Sequence, residues 1–350
     1  MRILTVVGAR PQFIKCAPVS RALLGRAEEI LVHTGQHYDD NMSGVFFEEL
    51  GIPKPHVNLG IGSGSHGAQT GRMLGRLEDV VLAEQPAVVL VYGDTNSTLA
   101  AALVAAKLCV PIAHVEAGLR SFNRTMPEEV NRVVADHLST WLFCPSSVAA
   151  ENLAAEGISR GVHMVGDVMR DALSYARQRA TKRPDVLVRL GLEERRYVLA
   201  TVHRAENTDR EDRLRGILAA FAALDEVVVL PIHPRTRKRV ADLGLATTGR
   251  VRLIEPQGYG DMIRLEEGAR LVVTDSGGMQ KEAYWLGVPC VTVRDETEWV
   301  ETVAAGWNVV VGADPARIVD AARSIAPPAA RPPLYGDGRA AQMIVELLVD

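Results

Sequence analysis

Three carboxylates stand where a chain can do proton chemistry. Asp94 follows the apolar run Val88–Tyr92, Glu116 follows Ile112–Val115, and Glu128 lies just inside a segment opened by Pro127. The first two places are the carboxyl ends of predicted strands, the edge at which open parallel sheets bind ligands. The third is a predicted first helical turn, where an acidic side chain also favours the helix dipole. Each has a plain structural use as well: Asp94 could cap the helix expected from about Asn96, and Glu128 could pair with Arg132 one turn on. Convergence of the three on one mouth tips the reading towards chemistry, because crowded carboxylates separate in pKa and can divide acid and base roles. His203 ends the run Tyr197–Val202 with Arg204 beside it, and adds a candidate acid or phosphate donor.

Two further stretches have the layout that collects phosphate. In "VVTDSGGMQKEA" a strand ends at Asp275, and Ser276, Gly277 and Gly278 open a helix with unpaired N–H groups and no Cβ to block approach. Glu282 follows about one turn into that helix, within reach of a sugar hydroxyl. In "VVGARPQFIK" a strand meets a single glycine, Gly8, then Arg10, Pro11 and Lys15. Pro11 suits a helix start, but one glycine makes neither a dinucleotide fingerprint nor a GxxxxGK[ST] loop. The histidines of "HTGQHYDDNM" straddle a Thr-Gly turn with no further ligand near, so no metal is expected there.

Positioning these residues requires strands and helices in alternation. Short apolar runs recur at 30–33, 88–92, 112–115, 141–144 and 162–165, and again at 197–202, 227–232, 251–254, 271–274 and 290–293. Many are apolar on both faces, as in strands buried between helix layers of a parallel sheet. Between them, segments such as Thr95–Leu108 and Glu211–Leu224 have helical composition and length. The pattern predicts an α/β protein with two Rossmann-like, doubly wound parallel-sheet domains facing a central cleft. The polar, proline-bearing stretch around 170–185 is the expected linker. The first domain is then residues 1–170, with a terminal helix in 334–350 packing back on it, and the second is 171–333.

Composition narrows the class. Of 350 residues 47% are hydrophobic and 23% charged, ordinary globular values. A net charge of −4 argues against nucleic acid as the main partner, and no apolar run approaches the ~20 residues of a membrane span. Cys16, Cys109, Cys144 and Cys290 are far apart with no CxxC pair, so reduced and mostly buried thiols are expected. The chain opens on a strand-like run without a signal-peptide pattern. The expectation is a soluble, cytoplasmic protein.

Taken in order, "GARPQFIK", "TGQH", "GDTNST", "HVEAGLR", "PEEVNR", "VHRAEN" and "TDSGGMQKEA" resemble the non-hydrolysing UDP-N-acetylglucosamine 2-epimerases. The resemblance runs from Met1 to about Gly312. It implies a GT-B type fold, a homodimer, UDP held mainly by the second domain, and no metal or nicotinamide cofactor. On that reading Arg10 and Lys15 face the diphosphate from the first domain. Ser276, Gly277 and Gly278 bind it from the second, Glu282 holds the ribose, and Arg294 joins His203 among the substrate ligands. Asp94, Glu116, Glu128 and His203 fall on the family's catalytic positions. The implied reaction interconverts UDP-GlcNAc and UDP-ManNAc by expelling UDP to a glycal and adding it back, which needs a base, an acid and cations for the leaving group.

Two departures from the family pattern stand out. Tyr38-Asp39-Asp40 replaces a basic, glutamine-bearing stretch linked to activation by substrate, and its carboxylates would repel a second diphosphate. Trp299-Val300 replaces a frequent Arg-Pro, a form shared with members acting on UDP-2,3-diacetamido-2,3-dideoxy-glucuronate. That sugar, and transfer by a GT-B glycosyltransferase, are the alternatives.

Overall fold

The computed structural model describes residues 1–36, 51–180, 184–245 and 250–350, and within them all side chains but those of Arg10, Ala180, Pro234 and Arg235. Tyr38, Asp39 and Asp40 lie outside the described residues. The chain divides into two compact units, Met1–Tyr175 with Tyr335–Asp350, and Ala176–Leu334.

Unit 1 holds seven strands: β1 (Arg2–Val7), β2 (Glu28–His33), β3 (Val57–Asn58), β4 (Val88–Tyr92), β5 (Ile112–Val115), β6 (Trp141–Cys144) and β7 (Val162–Met164). They form one parallel sheet in the order β3-β2-β1-β4-β5-β6-β7. Unit 2 holds β8 (Tyr197–Thr201), β9 (Val227–Pro231), β10 (Val251–Ile254), β11 (Leu271–Thr274), β12 (Cys290–Thr292) and β13 (Asn308–Val310), in the order β10-β9-β8-β11-β12-β13, again parallel. All five residues of β4 are buried, as are those of β8, which is why both read as unbroken apolar runs. The sequence reading passed over β3 and β13. They have two and three residues and alternate little, so no periodicity marks them.

The strand order reverses at β1/β4 in unit 1 and at β8/β11 in unit 2. At such a switch point adjacent connections leave in opposite directions and open a crevice at the strands' carboxyl ends. The loops there carry Gly8 and Asp94 in one unit, His203 and Asp275 in the other.

The closing helix, Ala340–Val349, packs on the Arg10–Leu23 helix, and Arg26 pairs with Asp350 at 2.6 Å. Its first turn is held by Asp171, whose Oδ1 accepts from the Ala341 N–H at 3.1 Å. Burial pushes the Asp171 carboxyl up to about 6 from a usual 3.8. The folded form then binds the proton more tightly than the unfolded chain, so this group's contribution is most favourable below pH 4 and is lost as pH rises through 6. Asp171→Asn should remove that dependence. In urea titrations the unaltered protein should lose stability relative to the variant between these two pH values; parallel curves would refute it.

The thiols are free and mostly buried, as expected. Cys16, Cys144 and Cys290 are buried, but Cys109 is exposed, in a turn with φ of +56°.

Candidate functional site

Around the switch point of unit 1 the polar groups are tightly organised. Gly8 ends β1 in a space that no other residue fits: a Cβ there would lie 2.1 Å from Thr34 Oγ1 and 2.2 Å from Ser97 Oγ. The turn after it departs from the expected phosphate cradle. Gln12 folds back so that its Oε1 accepts from the N–H groups of Gly8 and Ala9, at 2.8 and 3.1 Å, while its Nε2 donates to the Tyr92 carbonyl at 2.9 Å. Those two amides are satisfied within the protein and are not offered to an anion. Arg10 opens the helix, its side chain lying outside the described ones; Lys15, one turn further on, is buried and ion-paired to Glu116.

Glu116 is held in a left-handed conformation, φ +71°, directly after β5. A residue with a Cβ costs about 1–3 kcal/mol there, and such strain concentrates at functional sites where the surroundings over-determine it. Here the surroundings are the Lys15 ammonium and Gly93, whose own φ is +58° and whose missing Cβ leaves room for the Lys15–Glu116 pair.

Asp94 does not cap the following helix. Thr95 does, its Oγ1 accepting from the Thr98 N–H, which leaves the Asp94 carboxylate to meet Arg132 Nη2 at 2.5 Å while staying partly open to solvent. Arg132 reaches Asp94 and, at 3.2 Å, Glu129, not the i,i+4 partner Glu128 that the sequence suggested. Glu128 sits half-buried in the first turn of the Pro127–Leu138 helix. Its neighbour Glu129 is buried and accepts from the N–H groups of Ser121 and Phe122, both at 2.9 Å, pinning the loop between β5 and that helix.

In unit 2 the Gly277–Leu286 helix starts straight after β11. Its first N–H groups have no intrahelical acceptor, and with the helix dipole they favour an anion. Trp299 Nε1 would lie 3.1 Å from a Cβ on Gly277 and an Arg204 Nη2 4.0 Å from it, so an indole N–H and a guanidinium converge on this helix end. Ser276 is partly committed: its N–H donates to Thr274 Oγ1 at 2.9 Å.

His203 follows β8 with its ring about half exposed and Nδ1 3.4 Å from Asp275 Oδ1. Asp275, fully buried, also accepts from the backbone N–H groups of His203 and Arg204 and from Asn207 Nδ2. Glu282 is buried and accepts from the Tyr259 hydroxyl at 2.7 Å. Burial, reinforced by the charge of Glu282, holds the nearby Glu266 carboxyl well above its usual range. Arg294 is fully buried and gives both terminal nitrogens to Glu298, at 2.9 and 3.1 Å.

Sequence reasoning missed Gln12, Glu129, Asp136 and Asp275, the buried polar residues that hold the loops in place. The one local signal was a polar residue inside an otherwise apolar helix face or at a strand end. Among the described residues no group of His, Cys, Asp and Glu could hold a metal ion, and no helix is long and apolar enough to cross a membrane.

The UDP-N-acetylglucosamine 2-epimerase family model matches residues 22–349. A UDP-2,3-diacetamido-2,3-dideoxy-D-glucuronate 2-epimerase from Pseudomonas aeruginosa is 53% identical over 358 residues, covering 99% of both chains. A UDP-N-acetylglucosamine 2-epimerase homolog from Methanococcus maripaludis is 51% identical over 354 residues, again 99% of each. The crystal structure of Methanocaldococcus jannaschii UDP-GlcNAc 2-epimerase in complex with UDP-GlcNAc and UDP matches with a TM-score of 0.93 at 42% identity over 99% of both chains. With sequence, family model and fold in agreement along nearly its whole length, the chain belongs to the UDP-N-acetylglucosamine 2-epimerase family and is a UDP-sugar 2-epimerase.

Proposed function

We propose that the enzyme interconverts UDP-GlcNAc and UDP-ManNAc by elimination and re-addition of UDP. The C2 hydrogen of the sugar has no neighbouring carbonyl to acidify it, so direct removal is slow. Breaking the C1–oxygen bond sends that electron pair to the UDP β-phosphate oxygen. A carboxylate takes the C2 proton, and the C2–H pair becomes the C1=C2 bond of a glycal. Return of a proton to the opposite face of C2, with the phosphate oxygen closing on C1, gives the epimer. No electron is gained or lost, so no redox cofactor is needed.

Unit 2 supplies the leaving-group end: the Ser276 hydroxyl and the N–H groups of Gly277 and Gly278, with Arg204 and His203, take the diphosphate, and Glu282 takes the ribose hydroxyls. Unit 1 supplies the proton chemistry from Asp94, Glu116 and Glu128, with the cations Arg10 and Lys15. Arg294 shapes its loop through Glu298. The observation that carries this reading is Glu116, a strained carboxylate paired with Lys15 against Gly93, the residue before Asp94. The working form is a cytoplasmic homodimer making a precursor for polysaccharide.

A second reading, epimerisation of UDP-2,3-diacetamido-2,3-dideoxy-glucuronate, is favoured by one feature. Trp299 abuts Gly277 and carries the buried Lys281 ammonium 3.6 Å above its ring, and the Pseudomonas relative is named for that sugar. Incubating each UDP-sugar in deuterated water separates the cases. UDP-GlcNAc should be converted with deuterium entering C2; turnover of the diacetamido sugar alone would establish the second reading. Transfer to an acceptor without C2 exchange would mark a glycosyltransferase and overturn both.

A further inference from the structure

Beneath the carboxylate-bearing turns of unit 1 lies a buried polar cluster that the reaction above leaves without a role. His114, in β5, is fully buried, and both its ring nitrogens have close partners. Nδ1 lies 2.7 Å from Asp136 Oδ1 and Nε2 lies 2.7 Å from the Gly93 carbonyl oxygen. The other Asp136 oxygen accepts from the Gly118 N–H at 3.1 Å and from Arg120 Nη1 at 2.7 Å. Arg120 in turn grips Glu156 with two hydrogen bonds, 2.6 and 2.8 Å long.

The attachment points matter. Gly93 immediately precedes Asp94, and Gly118 lies two residues after Glu116. One imidazole with its carboxylate is therefore fastened to both turns that present the proposed acid–base groups. Both turns need fastening, since Gly93, Glu116 and Gly118 have φ values of +58°, +71° and +81°. At Gly118 a side chain is further excluded by the Ala149 carbonyl, 2.3 Å from where a Cβ would stand.

The donor count decides what His114 is. A carbonyl oxygen only accepts, so Nε2 must bear a proton. Asp136 accepts from the Gly118 N–H and from the permanently charged Arg120 guanidinium, two donors that favour its ionised form whatever the state of the imidazole. An ionised carboxylate also only accepts, so Nδ1 bears a proton too.

We propose that His114 is a positioning residue, a doubly protonated imidazole that ties the Asp94 turn to the Glu116 turn and sets the spacing of their carboxylates. It touches no substrate. The proposal rests on the reading of Asp94 and Glu116 as the acid–base groups, and it extends that reading to what holds them.

The test has two arms. Nitrogen NMR of the unaltered protein at pH 8, with the ring assigned through its own bonds, should find protons on both nitrogens of His114. A ring with a single proton overturns the proposal. In the second arm His114→Gln, which can donate to one partner but not both, should lower kcat by about 10²-fold, the scale of loss for a reacting group displaced by about 1 Å. Its affinity for UDP should change little, because those contacts belong mainly to unit 2, whereas a general loss of structure would move both. Normal turnover by a folded variant overturns the proposal; should the variant not fold, the spectrum of the unaltered protein decides. Failure of the acid–base reading itself shows separately, as normal turnover in Asp94→Asn and Glu116→Gln with His114 still doubly protonated.

Discussion

Glu116→Gln should lower kcat by about 10²-fold or more, the loss expected when a general acid or base is removed. The amide keeps the shape of the carboxylate but can neither take nor deliver a proton at C2. It also leaves Lys15 without its opposite charge in a buried place, so stability must be measured alongside rate to keep the two effects apart. UDP affinity should change little, because the Gly277–Leu286 helix end and Arg204 sit in the other unit. Asp94→Asn and Glu128→Gln should show the same division, with deuterium uptake at C2 falling in step with turnover. Near-normal kcat in all three variants would remove these carboxylates from the mechanism. A loss confined to KM would instead make them ligands of the sugar.

Gly8→Ala should destabilise unit 1 by about 3 kcal/mol, the upper range for overpacking a closely packed site. The new methyl would fall on Thr34 Oγ1 and Ser97 Oγ, which are hydrogen-bonded to each other at 2.8 Å. Ser97 Oγ also donates to Gln36 Oε1 at 2.7 Å, so moving it disturbs the loop after β2 as well. Urea denaturation should show a clearly lower midpoint. The same substitution made with Thr34→Ala and Ser97→Ala should cost much less, since both obstructing oxygens are then gone. Equal stability of Gly8→Ala and the unaltered protein would mean that the turn has slack the geometry does not show.

The layered architecture is legible in the chain itself. β4, β5, β6 and β11 are runs of four or five mostly apolar residues bounded by glycine, proline or charge, and burial on both faces leaves that mark in any reading frame. The same local logic puts Asp94, Glu116, Asp275 and Ser276 just beyond strand ends. Where the reading slipped, the cause was length, as with β3 and β13, or a choice among near-equal local partners, as when Thr95 took the cap that Asp94 could have filled.

What tertiary structure alone decided is which side chain each of these residues meets. Lys15 and Glu116 pair across 101 residues of sequence, Arg132 and Asp94 across 38, and His203 and Asp275 across 72. Gln12 claims the amides that a phosphate would otherwise use, and Arg294 is committed to Glu298. A strand's period and a glycine's freedom are properties of a few consecutive residues, so the sequence determined the elements and the edge at which they present polar groups. An ion pair in a buried site depends on the order in which strands assemble. Only when β1, β4 and β5 lie side by side do Gly8, Asp94 and Glu116 come to share one set of charges.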